Sequence, residues 1–215
     1  MGETDQLDIS FLLENKSELE EVFRIYLEDI NPLIVQFEIT KNEFPVEIQN
    51  EIRAMYGHLA RAAIAENSET AKTNVSKMKS HSKRALLDCF KYCCVIYTDK
   101  YDDFFKRFDG VDLSYLDEGK FLTEVHAKNK SARAALLLAK ESEVSNASDD
   151  QLFSTYQKAF NLYCDLSECL DSVLDHAIFL KHKATKKDRL SHISFVVGVI
   201  GLLVGIASVV ITLLL

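Results

Sequence analysis

The sequence predicts an all-α protein: a cytoplasmic helical bundle whose long C-terminal helix runs on into a single transmembrane span. Three observations carry that prediction. Glycine and proline are scarce, seven and two in 215 residues, and long stretches place apolar residues at steps of three and four. Alternating apolar and polar runs, the mark of a half-buried strand, are missing. The chain also ends in SFVVGVIGLLVGIASVVITLLL, with no charged residue from Ile193 to Leu215.

Taken in order, the polar start leads into a short helix over about Asp8–Glu14. SELE at 17–20 fits a capping box ahead of Leu19, Val22, Phe23, Tyr26 and Ile30. Asn31-Pro32 should break or kink that helix, with a second piece to about Thr40. Pro45 suits a first turn, and Ile48, Ile52, Met55, Leu59 and Ala63 form the next apolar row. A long helix follows over about Ser68–Phe108, with Ala71, Val75, Met78, Ala85, Cys89 and Ile96 on its core face. DGVDLSYLDEG around Gly110 reads as a loop. Another helix covers about Gly119–Ser142 through Phe121, Val125, Ala132, Ala135 and Leu136. Ser148 with Gln151 forms a second capping box and opens the last helix.

That last helix has a continuous pattern. Tyr156, Ala159, Tyr163, Leu166, Leu170, Val173, Ala177 and Leu180 step by three and four. The same steps pass through Ala184, Lys187 and Ser191, and then through Ser194, Gly198, Gly201, Gly205, Ser208 and Thr212. One helix from Ser148 to Leu215 would be about 100 Å long at 1.5 Å per residue. Its final 23 residues reach about 34 Å, enough for a hydrocarbon core of about 30 Å. The aligned small and hydroxylated residues let sister helices approach closely, which is how helices associate in lipid. A dimer would bury the stripe. A ring of four or more would turn Ser194, Ser208 and Thr212 toward a conduit.

The organisation follows: a cytoplasmic domain over 1–180, a basic juxtamembrane segment over 181–192 and a membrane helix over 193–215. Lys181, Lys183, Lys186, Lys187 and Arg189 face one acid, Asp188, in that segment. Positive flanks stay on the cytoplasmic side, so the expected location is the cell membrane, single-pass, with the C-terminus at the far face. The flank also suits anionic lipid head groups. The start, MGETDQLDIS, has no secretory signal, and Gln6 stands where a myristoylation pattern needs Ser or Thr. Five cysteines, an odd number, suit free thiols in a reducing compartment.

Net charge is −8, unevenly spread. The first 51 residues hold 13 acids against Lys16, Arg24 and Lys41. From Lys72 to Lys91 the balance reverses. Lys72, Lys79 and Lys83 border the apolar face, and Lys77, Arg84 and Lys91 lie on the far side. The first expectation is that this helix pairs with the acidic N-terminal helices. The second is an anionic ligand, a nucleotide or single-stranded oligonucleotide, with Phe90, Tyr92 and Tyr97 near enough to stack on bases. KNKSAR at 128–133 would extend such a surface.

No P-loop, GxGxxG, GxSxG or HExxH occurs, so neither an enzyme, a cofactor nor a metal is expected. Cys89 and Cys93 supply half a zinc site. The layout resembles small membrane effectors of bacterial antiviral defence, in which a soluble sensor controls a short transmembrane bundle. The resemblance implies an oligomeric channel or pore gated by a ligand or partner. It rests on layout alone and carries no residue roles with it. The other expectation is a non-conducting, tail-anchored adaptor that offers its helical bundle to a cytoplasmic protein partner.

Overall fold

A computed structural model describes the chain from Ile9 to Leu214, without the side chains of residues 188, 191, 192 and 202–214. Among the described residues the secondary structure is helical, with no strand. The α-helices are α1 (Ser10–Leu13), α2 (Lys16–Arg24), α3 (Asn31–Lys41), α4 (Val46–Ala63), α5 (Ser68–Arg107), α6 (Phe121–Val144) and α7 (Asp149–Leu214).

The N-terminal arm differs from expectation in two places. The SELE capping box does not form. α1 runs almost directly into α2, and Leu19 N–H already donates to the Asn15 carbonyl at 3.1 Å. Ser17 is therefore inside the helix, and Glu20 pairs with Lys16 at 3.5 Å instead. Nor does Asn31-Pro32 stop the helix. Pro32 has no N–H to offer the preceding turn, and its ring crowds the carbonyl there. A π-helical turn over Ile25–Ile30 widens the backbone just before it, so α2 and α3 continue as one arm. Ile30, Ile34 and Phe37 are buried along it.

α5 is the central element. Its start is capped by Asn67, whose Oδ1 accepts from the Thr70 N–H at 2.9 Å. α4 packs along one side of α5 and α7 along another, and α6 packs on α7. All six core residues expected on α5 are buried. They are joined by Leu86, Phe90, Cys93, Cys94, Tyr97 and Phe104, so α5 is covered on more than one face. Ser82, also buried, satisfies its hydroxyl on the Lys79 carbonyl at 2.8 Å.

The segment around Gly110, read as a loop, is partly ordered helix. Asp112 Oδ1 accepts from the Ser114 N–H at 3.0 Å, 3₁₀ turns follow over Leu113–Gly119 but are interrupted by a non-helical kink at Leu116, Asp117 and Glu118, and Leu113 and Leu116 are buried. Two apolar side chains at that spacing anchor the turn to the core. At the start of α7, the Gln151 N–H donates to Ser148 Oγ at 3.3 Å, one half of the expected capping box.

α7 is a single helix of 66 residues, about 100 Å long at 1.5 Å per residue. Tyr156, Ala159, Tyr163, Leu166, Leu170, Val173 and Ala177 are all buried, so the stripe read from the sequence is its core face. The Tyr163 and Thr98 hydroxyls hydrogen-bond at 2.8 Å, and Thr98 donates to the Cys94 carbonyl at 2.8 Å. Among the described residues no helix is long and apolar enough to cross a membrane. Only Ile193–Gly201 of the expected span falls among the described side chains.

Candidate functional site

The head of the molecule releases α7 at a definite place. Leu180 and Ala184 are half-buried and continue the stripe past Ala177. Lys181 Nζ donates to the Arg107 carbonyl at 2.5 Å and lies 5.9 Å from the Phe108 ring centre. This contact ties α7 to the C-terminal end of α5, where a cation suits the unpaired helix carbonyls. Beyond it Lys183, Lys186, Lys187 and Arg189 are exposed.

Past the basic flank, apolar side chains are exposed on every side of the helix. Ile193, Phe195, Val196, Val197, Val199 and Ile200 all face outward, Phe195 with 71% of its surface open. A helix that is apolar all round has no polar face to give to water and needs an apolar surrounding. Ser194, Gly198 and Gly201 are exposed in the same stretch. A Cβ added at Gly198 or Gly201 would meet nothing within 4 Å. The fold of the single chain therefore makes no use of the missing side chains, although each glycine weakens the helix by about 1 kcal/mol against alanine. Gly205, Ser208 and Thr212 lie outside the described side chains.

The six basic residues from Lys72 to Lys91 on α5 divide into two groups. Lys79 pairs with Glu21 of α2 at 2.5 Å, the pairing expected with the acidic arm. Lys83 and Lys91 pair elsewhere: Lys83 with Asp150 at 3.7 Å, and Lys91 with Glu143 at 2.6 Å. These acids sit on either side of the α6–α7 turn. Hydrogen bonds from Lys91 and from the Tyr156 hydroxyl hold the Glu143 carboxyl below its usual range. Lys72, Lys77 and Arg84 are exposed and have no ion-pair partner among the described residues.

The aromatics expected beside this surface are engaged within the fold. Phe90 is buried and packs on Phe160 and Phe153, with ring centres 4.8 and 5.5 Å away. Tyr92 packs edge-on to Phe37 at 4.9 Å and donates to Glu43 at 3.0 Å. Tyr97 is buried and accepts from Gln36 at 2.8 Å. Each of the three rings is thus already in contact within the fold. Of KNKSAR, Arg133 is tied to Asp102 at 3.3 Å and Lys128 to Glu124 at 3.5 Å.

The remaining chemistry is structural in character. All five cysteines are unbonded. Burial pushes the Cys89 and Cys94 thiols up to about 12, far from the thiolate that a nucleophile or metal ligand requires. Among the described residues no group of three or more His, Cys, Asp or Glu is placed to hold a metal ion.

Two features were not anticipated from the sequence. One is a groove of about 390 Å³ between α3, α5 and α7, with Ile96, Phe104 and Leu170 at its base. Two ion pairs lie along it, Lys41 with Asp99 at 2.8 Å and Lys100 with Asp171 at 2.7 Å. Lys100 also donates to Ser167 at 2.7 Å, a second tether on α7. The other is a histidine pair. His58 and His81 stack with ring centres 5.2 Å apart, and His81 Nδ1 lies 2.6 Å from Glu51.

No protein-family model, curated protein or solved structure matches the chain. The geometry is left to carry the reading of function.

Proposed function

We propose that this chain is a single-pass membrane effector. Its helical head lies on the cytoplasmic side, and its C-terminal helix spans the bilayer and self-associates through the stripe Ser194, Gly198, Gly201, Gly205, Ser208 and Thr212. Four or more copies form a bundle that conducts ions or disrupts the membrane. The supporting observation is that α7 passes without a break from a buried core into an exposed, largely apolar stretch in which Gly198 and Gly201 touch nothing. Lipid supplies the apolar surrounding, and a sister helix explains the absent side chains. The exposed cations of the flank stand between the two environments, where a positive-inside signal belongs.

The mechanism follows from the continuity of α7. Lys100, Lys181 and the buried stripe grip the helix in the head. A change in how α5 or the arm packs rotates or tilts the membrane end, because nothing between them absorbs the movement. A ligand or protein partner drives that change only by binding one arrangement of the head more tightly than the other.

The test is dye and ion leakage from liposomes holding the full-length protein. The wild type should leak. Gly201→Ile should insert equally well but stop leaking, since a β-branched side chain holds sister backbones apart. Tight vesicles for the wild type, with a normal copy number per particle, would leave the non-conducting adaptor in its place.

A further inference from the structure

The N-terminal arm carries a second unpartnered face. Phe23, Leu27, Val35 and Ile39 are all exposed, Leu27 at 63% and Ile39 at 81%. Leu27, Val35 and Ile39 stand at multiples of four along the π turn and α3 and share a flank turned away from Val22, Ile30, Ile34 and Phe37, which are buried, while Phe23 at the near end also borders Ile52 and Met55 of α4. Glu28 and Glu38, both exposed, border the row. Among the described residues Glu28 pairs with Arg24 alone, one turn back at 3.8 Å and itself exposed, which is a weak pairing.

The chain also carries the complement. Lys77 and Arg84, seven residues apart on α5, point the same way, about 10.5 Å apart along the helix. Both are exposed. Neither reaches the acids of its own arm: that contact is made by Lys79, which takes Glu21 on the arm's inner flank. The outer flank of the arm and the outer row of α5 are thus opposite in charge and both open, and among the described residues no ion pair joins them within one molecule. Two arms face to face would oppose Glu28 and Glu38 with like charge. A basic partner is required, and the long aliphatic stems of lysine and arginine cover apolar surface well.

We propose that neighbouring heads in the assembled protein dock arm to α5: the Phe23–Leu27–Val35–Ile39 face of one copy lies against the Lys77–Arg84 row of the next. The contact uses two different surfaces, and with four or more tails held in one bundle, as proposed above, it runs head-to-tail around a ring. It rests on the self-association proposed above. The tails hold the copies together, and at the resulting effective concentration, about millimolar for tethered partners, a modest surface suffices.

The experiment is zero-length carbodiimide cross-linking of full-length protein in nanodiscs, assembled from an equal mixture of ¹⁴N- and ¹⁵N-labelled chains. Mixed-isotope links between Lys77 and Glu28 or Glu38 are expected. Arg84→Glu, which keeps the Lys77 amine, should lower them several-fold, as like charges across an interface repel; Lys77→Glu in addition removes the amine itself and with it these links. Adding Glu28→Lys and Glu38→Lys should restore association of the heads, read as mixed-isotope links between the same positions with the amine and carboxylate partners exchanged. Ile39→Asn should lower the links with the charges intact. Links of one isotope only, or links indifferent to charge reversal, would overturn the proposal. So would a single-stranded oligonucleotide that protects Lys77 at low salt while no mixed link forms. Particles that remain oligomeric without these links sink this contact alone. Particles that are monomeric throughout sink the tail association with it.

Discussion

The two halves of α7 follow one spacing and demand opposite residues. From Tyr156 to Ala177 the stripe is filled mainly with tyrosine, leucine and valine, all buried. From Ser194 to Gly201 the same steps bring serine and glycine, all exposed. In the head, water drives the helices together and large side chains fill the space between them. In the tail as we read it, the surrounding lipid is as apolar as leucine. Helices there gain only by close approach, which small residues permit. A periodicity of three and four therefore marks a contact face in both halves, and residue size tells which solvent surrounds it.

The comparison can be broken most forcefully in the head. Tyr163→Ala empties a fully buried site and strands the Thr98 hydroxyl, so a loss of about 3–5 kcal/mol in chemical denaturation is expected. Ala159→Leu, by overfilling, should cost about 1–3 kcal/mol. Gly198→Ile and Gly201→Ile should leave the denaturation midpoint of the head unchanged within about 0.5 kcal/mol. Each should still reduce the copy number per nanodisc, measured by mass photometry. A drop in head stability from either glycine change would show that the tail is part of the same fold and that the contrast between the halves is false.

Smaller effects sharpen the boundary between the halves. Lys181→Ala removes the tether to the Arg107 carbonyl. Hydrogen exchange over residues 177–187 should quicken several-fold, with the midpoint shifting by less than about 1 kcal/mol. Smallest is the ion pair at the α6–α7 turn. Glu143 is held below its ordinary value of 4.5 by the Lys91 and Tyr156 hydrogen bonds. The unfolded chain therefore binds its proton more readily. The stabilisation is complete above about pH 4.5 and is lost as the pH falls through the lowered value. Glu143→Gln should flatten that part of the stability profile and, because both partners are partly exposed, change neutral stability by less than about 1 kcal/mol.

Sequence legibility was greatest where helices are long. The limits of α5 and α6 and the start of α7 lie within a turn or so of the periodic pattern. The stripe of α7 is buried from Tyr156 to Ala177 as the spacing requires. The errors fell where local signals competed. SELE has the form of a cap, but the preceding turn had already entered the helix. Pro32 has the form of a stop, but a widened turn accommodated it. Of the basic helix, the sequence showed the rows and not the partners. Lys83 and Lys91 lie far along the chain from Asp150 and Glu143, and only the packing of the helices brings them together. The His58–His81 stack and the groove below α3 left no trace in the sequence for the same reason.

By itself the sequence determined the helices, their inward faces and the change from large to small residues along α7, since each depends on spacing and side-chain volume within one segment. Tertiary structure decided which charges neutralise each other, which aromatics are used up inside the fold, and which surfaces are left over. Those outcomes depend on distances between segments remote in the chain, and no local pattern encodes them. The leftover surfaces are the outer flank of the arm, the Lys77–Arg84 row and the open glycines, and it is on these that both proposals stand.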